Sequence, residues 1–555
     1  MIVVRGVGAS KGIAIGQARL LGDTFVEALC VRIEDTDAEI KRLMQAHNTA
    51  LTDLEQLYQK MNTTMDKDHA MIIKAHILLL KEDSTYISEI KSGIIGMKVN
   101  AEYAVKLASD KIRKQFGEME NEYMRERAAD IKDISMRLTR LLMGQPVQWS
   151  SNRYRQEVLI TNDLLPSETV DLDLNSVAAI LCKEGSSMSH SSILARTMNI
   201  PSVVGLEKQL DSIEDGDELL IDGTTGTVYI NPDKETFEQY DRKREELFRD
   251  ANRLKSLIGK PAITLDGRSI PVRANGSVVG DLTRIIESDA EGIGLFRSEF
   301  LYMRSDCLPS EEEQFEHYKK ILQSMKGKPV TIRTLDVGSD KEGNYLHIPP
   351  EKNPAMGFRG MRLGLWYRDV YKTQIKALYR ASAYGNLSIM FPMISTLDEV
   401  EQGKRIIEEV KSELRHERIP FADHIPLGIM IETPASALIS DILAKYVDYF
   451  SVGTNDLAQY ILAADRMNSR LSYLYENVHL AVLRLIKFTA DNIHREGKKV
   501  SVCGELAADK SMTPLLLSVG VDELSVNPSS VLEIRETVRN IDISLVRDTY
   551  LNSIK

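Results

Sequence analysis

Three observations predict a multidomain α/β protein, in which a small β-rich α/β domain is interrupted by a helical bundle and followed by a (β/α)8 barrel. From Glu34 to Leu142 glycine is rare, proline is absent, and apolar residues recur at helical spacing. Strand-like apolar runs separated by turn residues flank that span on both sides. From Pro261 onward short apolar runs alternate with helical segments, an α/β rhythm. At 555 residues the chain exceeds what one core sustains, and about three or four domains are expected.

Residues 1–20, punctuated by Gly6, Gly8, Gly12 and Gly16, read as the first β part of the small domain. Residues 21–146 read as an inserted bundle of about four helices. Leu43, Leu51, Leu54, Leu57 and Met61 mark its core face, as do Met71, Ile72, Ala75, Leu78 and Leu79. The rest of the small domain, 147–232, carries strand signals at Glu157–Thr161, Ser176–Cys182, Ser202–Val204, Glu218–Ile221 and Thr227–Ile230. Asp215-Gly216-Asp217 and Asp222-Gly223-Thr224-Thr225-Gly226 supply turns between them. The charged stretch Asp233–Ser256 can form a connecting helix, so 233–260 reads as a linker. Residues 261–555 hold eight candidate strands: Ser269–Ala274, Gly292–Phe296, Pro329–Thr334, Leu387–Phe391, Pro426–Ile431, Tyr449–Val452, Lys499–Cys503 and Glu523–Val526. Eight strands with intervening helices is the count for a TIM-type barrel.

Composition narrows the function. A 43% hydrophobic and 27% charged chain is an ordinary soluble one, and no run approaches the length that spans a bilayer. The start, Met1-Ile2-Val3-Val4-Arg5, lacks the features of a secretory signal. Four scattered cysteines, Cys30, Cys182, Cys307 and Cys503, argue against a disulfide framework or zinc site and for the reducing cytoplasm. A net charge of −11 argues against a nucleic-acid partner.

The segment Gly185-Ser186-Ser187-Met188-Ser189-His190-Ser191-Ser192-Ile193-Leu194-Ala195-Arg196 runs a Gly/Ser-rich turn into a helix. Ser189 as helix cap puts His190 in the first turn, where free N–H groups and the helix dipole favour an anion. A phosphoryl group on His190 suits that position. A lone histidine in a serine-rich turn is ordinarily structural, so the functional reading leans on the second half of the chain.

In a barrel the site lies at the C-terminal ends of the strands. Those ends read Phe296-Arg297-Ser298-Glu299, Arg333-Thr334-Leu335-Asp336, Glu432-Thr433-Pro434, Gly453-Thr454-Asn455-Asp456 and Cys503-Gly504-Glu505, with Lys341, Arg359, Arg362 and Arg466 just beyond strands three and six. Arginines clamp phosphate and carboxylate through paired contacts. Glu432 and Asp456 are hard oxygen donors of the kind Mg²⁺ takes. Each residue alone has a plainer explanation: Arg297 with Glu299 as a surface ion pair, Asp456 as a helix cap, Cys503 as a small buried hydrophobe. Their recurrence at successive strand ends favours a site.

On these residues the sequence resembles the Enzyme I family of the bacterial phosphotransferase system, the phosphoenolpyruvate–protein phosphotransferases, essentially from end to end. The resemblance rests on Ser189-His190-Ser191 with Ile193-Leu194-Ala195-Arg196, on Gly292-Ile293-Gly294-Leu295-Phe296-Arg297-Ser298-Glu299-Phe300, and on Leu308-Pro309-Ser310-Glu311. Asn353-Pro354, Gly453-Thr454-Asn455-Asp456-Leu457 and Ala463-Ala464-Asp465-Arg466 continue it. It implies a swivelling phosphohistidine domain, His190 as the phosphorylated residue and Thr169 as its hydrogen-bond partner. It further implies phosphoenolpyruvate held by Arg297, Arg333, Arg359, Arg466 and the Asn455 main chain, Mg²⁺ held by Glu432 and Asp456, and Cys503 as the acid that makes pyruvate. In the family the inserted helices dock a small histidine-containing phosphocarrier protein and the barrel forms a homodimer. One departure stands out: the family's Gly-Gly-x-Thr before Ser-His is Gly185-Ser186-Ser187-Met188 here, which loses a glycine and a hydroxyl.

The expected function is therefore transfer of phosphoryl from phosphoenolpyruvate to His190 and on to the phosphocarrier, the first step of sugar uptake. The alternatives are a related phosphoenolpyruvate-utilising enzyme, such as pyruvate phosphate dikinase or phosphoenolpyruvate synthase, and a catalytically inactive docking regulator on the same fold. The first joins a nucleotide domain and a nitrogen-related paralogue an N-terminal sensory domain; neither is expected here. The second needs a missing site residue, and none is missing.

Overall fold

Parallel strands cannot be joined by a tight turn and need a crossover of a dozen residues or more. That constraint organises both halves of the protein in the computed structural model. It describes residues 1–555 except 22–27, 65–75, 82–84, 118–121, 145–155, 163–175, 186–189, 198–199, 304–306, 339–347, 349–350, 467, 476–478 and 555. The chain forms two compact units, Met1–Asp250 and Ala251–Lys555, and the division falls within the helix Lys234–Lys255.

The first unit holds strands β1 (Ile2–Arg5), β2 (Val7–Ser10), β3 (Ile13–Leu20), β4 (Glu157–Thr161), β5 (Val177–Cys182), β6 (Ser202–Val204), β7 (Glu218–Asp222) and β8 (Thr227–Ile230). They make one sheet in the order β1-β8-β7-β3-β4-β5-β6-β2. Its two edge strands, β1 and β2, are separated only by Gly6, so the sheet curls until its edges converge there. Gly6 donates its N–H to Gly226 O at 2.9 Å, and a Cβ at Gly6 would stand 2.5 Å from Val204 O. No other residue fits that approach.

β3 and β4 pair in parallel, from Gln17 opposite Glu157 to Leu20 opposite Ile160. The crossover between them is the helical insertion, with helices Thr36–Thr64, Thr85–Met97, Ala101–Gly117 and Glu122–Leu142. The insertion has its own core, including Leu43, Leu54, Ile87, Ile90, Ile94, Val105, Ile134 and Leu138. Leu78 departs from the expected core face: it is exposed, and Leu80 takes the buried place. Met71, Ile72 and Ala75 lie outside the described residues. β5 and β6 are also parallel, and the helix His190–Thr197 belongs to their crossover.

The second unit is a closed barrel of eight parallel strands: β9 (Val272–Gly276), β10 (Ile293–Arg297), β11 (Val330–Arg333), β12 (Leu387–Phe391), β13 (Leu427–Ile431), β14 (Tyr449–Gly453), β15 (Lys499–Cys503) and β16 (Glu523–Val526). This is the fold class the apolar rhythm predicts. The strands read as nearly continuous apolar runs because helices cover the outside and side chains fill the inside. Ile293, Phe296, Val330, Ile332, Ile389, Phe391, Ile429 and Val452 pack outward into one large core. Inside, Leu295, Met390, Met430 and Cys503 form a separate cluster.

Candidate active site

β10 and β11 pair in register with Arg297 opposite Arg333, so two guanidinium groups stand on adjacent strands at the C-terminal rim. Like charges so placed repel unless carboxylates intervene. Arg333, buried, donates Nη2 to Glu299 Oε1 at 2.7 Å and lies 3.1 Å from Asp336 Oδ2 through Nη1. Asp336 in turn accepts two bonds from Arg359, Nε to Oδ1 at 3.2 Å and Nη2 to Oδ2 at 3.0 Å. Burial works against both cations, but the surrounding carboxylates win, Glu299 first for Arg333 and Asp336 first for Arg359. Both guanidinium pKa values rise above their usual range.

Arg297 is held differently. Its Nε and Nη2 donate to Ser277 Oγ at 2.9 and 2.5 Å, and it lies over the Phe300 ring at 5.0 Å. Burial, and then the Arg333 charge, pull its pKa down from the usual value. A cation whose hydrogen bonds go to a hydroxyl, beside a second cation, is an electrostatic invitation to an anion.

Across the rim, Gly453 on β14 pairs with Cys503 on β15. The helix Thr454–Leu462 starts at the next residue, which puts Asp456 in its first turn. Asp456 therefore does not cap a helix beginning at Leu457. Asn455 Oδ1 accepts the N–H of Glu505 at 3.4 Å, and Thr454 Oγ1 donates to Cys503 O at 3.1 Å. Gly504 has φ of +106°, and a Cβ there would stand 2.6 Å from Thr454 Oγ1. The strand-end glycine is thus dictated by the packing of the two loops.

Arg297, Arg333, Arg359, Asn455, Asp456, Arg466 and Cys503 line one cavity of about 420 Å³. Glu432 sits just beneath it: fully buried, it stands behind Gly453, where a Cβ would lie 3.2 Å from its Oε2. Its Oε1 accepts the Met393 N–H at 2.5 Å, while the buried Oε2 has no hydrogen-bond partner among the described residues. Burial, followed by the charge of Asp336, pushes the Glu432 carboxyl up to about 8. An orphaned carboxyl oxygen that feels the charge of Asp456 fits a hard cation, whose charge would offset the burial that raises this group. Among the described residues no group of three or more acid, His or Cys side chains forms a metal cage. Two carboxylates with the remaining positions left to substrate and water is the habit of Mg²⁺.

Cys503 is buried among Leu295, Met390 and Met430, and burial pushes its thiol up to about 11. It is a small buried residue and a cavity-lining thiol at once. In the first unit, the helix expected to carry the phosphorylated residue begins at His190, of which only the backbone is described. Buried Ser191, Ser192 and Ala195 seat it, Ser10 Oγ donates to Ala195 O at 3.4 Å, and Arg196 Nη1 donates to Ala9 O at 3.1 Å. Thr169, Lys341 and Ser186–Ser189 lie outside the described residues.

The structure thus gathers seven of the expected barrel residues at one cavity and puts Glu432 directly below. Arg362 is not among them: it donates to the carbonyls of Met356 and Gly357 and to Ser395 Oγ, bracing the loop before Arg359. Glu299 and Asp336 were legible as strand-end acids, but not as the partners that hold Arg333 and Arg359. Tyr460 gave no signal, yet its hydroxyl ties the Asp456 helix to Ala355 O.

Three family models match the chain: "PEP-utilising enzyme, N-terminal" over residues 5–127, "PEP-utilising enzyme, mobile domain" over 154–226, and "PEP-utilising enzyme, PEP-binding domain" over 251–543. A phosphoenolpyruvate-protein phosphotransferase of Staphylococcus carnosus is 42% identical over 545 residues, covering 98% of this chain and 95% of its own. One of Bacillus subtilis is 40% identical over 538 residues, covering 97% and 94%. A solution structure of an Enzyme I (nEIt) protein, 31% identical, covers 44% of this chain and 99% of its own with a TM-score of 0.38.

Proposed function

The chain belongs to the phosphoenolpyruvate-protein phosphotransferase family, and from that premise we propose that it moves the phosphoryl group of phosphoenolpyruvate to His190 and then to a histidine of a small phosphocarrier protein. The observation that carries this reading is the shared rim: Arg297 opposite Arg333, with Cys503 lining the same cavity.

In this reading Arg297, Arg333, Arg359 and Arg466, with the Asn455 main chain, hold the phosphate and carboxylate of the substrate. Glu299 and Asp336 keep Arg333 and Arg359 aimed, which lowers the cost of ordering them on binding. Glu432 and Asp456 would hold Mg²⁺, which would supply charge neutralisation for the phosphoryl and enolate oxygens. A ring nitrogen of His190 attacks phosphorus in line, the bridging P–O bond breaks, and enolpyruvate leaves. Cys503 then protonates the methylene carbon to give pyruvate. A thiol pushed up to about 11 is fully protonated at neutral pH, as an acid must be.

One histidine serving a substrate site and an acceptor protein has to visit both, so the His190 domain swivels. The domain division that goes with this is 1–20 and 147–232 for the phosphohistidine domain, 21–146 for carrier docking, 233–260 for the linker and 261–555 for the barrel. Exposed Leu438, Ile442 and Tyr446 on the barrel exterior support a homodimer. Among the described residues no helix is long and apolar enough to cross a membrane. Incubation with labelled phosphoenolpyruvate, Mg²⁺ and a phosphocarrier protein tests the whole reading. Acid-labile label should pass through this chain to the carrier, and failure to label either protein would refute it.

A further inference from the structure

We propose that Ser451 is a positioning residue for proton delivery, donating its hydroxyl to Cys503 Sγ and stabilising the thiolate left when the proton passes to carbon. The inference rests on Cys503 being the acid of the proposed reaction.

β14 and β15 run in register, with Ser451 opposite Ser501 and Gly453 opposite Cys503. Strand alternation therefore turns Ser451 and Cys503 to the same, inner face, one layer apart. Ser451 is fully buried, and its Oγ donates to Cys503 Sγ at 3.4 Å. The cluster that packs around the sulfur is apolar, formed by Leu295, Met390 and Met430. A hydroxyl placed there costs free energy unless bonded, and the sulfur is the partner given to it. The thiol in turn lies within donating distance of Val452 O, also at 3.4 Å. Sulfur thus donates to one neighbour and accepts from the other.

That arrangement discriminates along the reaction. The S–H bond breaks with its electron pair left on sulfur. The proton bonds to the methylene carbon through the C=C pair, and the enolate oxygen closes the carbonyl of pyruvate. The thiolate later recovers a proton from water. A thiol is a weak acceptor and a thiolate a strong one, so the Ser451 bond strengthens only as the proton departs. Burial and the charges of Glu432 and Asp456 oppose that thiolate, and Arg333 and Ser451 favour it. Ser451 is the group among these that touches sulfur without carrying a charge of its own.

The test uses the full chain with phosphoenolpyruvate and Mg²⁺ in D₂O. Ser451→Ala should lower the initial rate of deuterium entry into the pyruvate methyl, relative to the rate of His190 phosphorylation, by roughly tenfold or more, the effect of losing one hydrogen bond to a charged group. An unchanged ratio overturns the proposal, as does equal slowing of both steps in Ser451→Ala and in the smaller Ser451→Gly. In a Cys503→Ser background, Ser451→Ala should slow exchange no further; additional slowing would show that Ser451 acts other than through the thiol. Wild-type exchange in Cys503→Ser alone would instead remove the acid assignment itself. Slow exchange there with normal exchange in Ser451→Ala would remove Ser451 only.

Discussion

Met393 donates its backbone N–H to Glu432 Oε1 at 2.5 Å, and it does so from a left-handed φ of 54°. A buried methionine in that region is strained, and such strain persists only where neighbours enforce it. The neighbour is Gly360, itself at φ 57°, where a Cβ would stand 2.8 Å from Met393 Cβ and 3.2 Å from Asp336 Oδ1. One glycine therefore makes room both for the residue that holds Glu432 and for the carboxylate that holds Arg333 and Arg359.

Gly360→Ala should accordingly lower stability by roughly 1–3 kcal/mol and weaken Mg²⁺-dependent phosphoenolpyruvate binding. Thermal unfolding and calorimetric titration check the two effects together. Wild-type affinity in the variant would show that the Met393 contact does not shape the site.

His190→Ala should abolish label transfer from phosphoenolpyruvate while leaving the circular dichroism spectrum and melting temperature close to wild type. The helix it opens is seated by Ser191, Ser192 and Ala195. Acid-labile phosphorylation at the wild-type level in the variant would point to another acceptor.

A fragment of residues 251–555 should fold and bind phosphoenolpyruvate with Mg²⁺, yet remain unphosphorylated. The start at 251 matters: buried Arg535 donates Nη1 to Leu257 O at 3.1 Å, and Gly259 donates its N–H to Asp289 Oδ2 at 2.7 Å. Every anion and metal ligand named in the site lies in this fragment, and His190 does not. Calorimetry showing no Mg²⁺-dependent binding to the folded fragment would contradict that division of labour.

Stability should also carry a pH signature from the opposite end of the barrel. Burial pushes the Glu523 carboxyl up to about 7 from 4.5, against the pull of Arg273, whose Nη2 lies 2.9 Å away. A carboxyl with a raised folded pKa binds its proton more tightly in the folded chain. Its contribution is therefore present below about pH 4.5 and lost as pH rises through 7. The stability of the wild type relative to Glu523→Gln should fall between pH 4.5 and 7 by at most about 3 kcal/mol, since a tenfold difference in proton affinity is worth about 1.4 kcal/mol. Denaturant titrations of both proteins across that range read the difference, and a flat difference would mean Glu523 stays ionised when folded.

Much of this protein was written in local pattern. The barrel strands were legible because strands buried on both sides are apolar runs, as at Ile293–Arg297 and Leu427–Ile431. The rim residues Arg297, Arg333, Asp456 and Cys503 followed from a local rule: parallel strands present their last residues at one end. Pairing across that rim was not legible. Glu299 lies two residues from Arg297 in sequence yet bonds Arg333, because Arg297 ends a strand while Glu299 begins the helix Glu299–Met303. Leu78 and Leu80 show the same limit: helical spacing marks an apolar face but not which leucine the neighbouring helix covers. The orphaned oxygen of Glu432, the strained Met393 and the Ser451–Cys503 bond likewise arise between strands and loops far apart in the chain. Spacing along a chain determines which side of an element a residue occupies. Only closure of the barrel decides which partner faces it, since charge, hydrogen bonding and burial depend on distances that sequence separation does not contain.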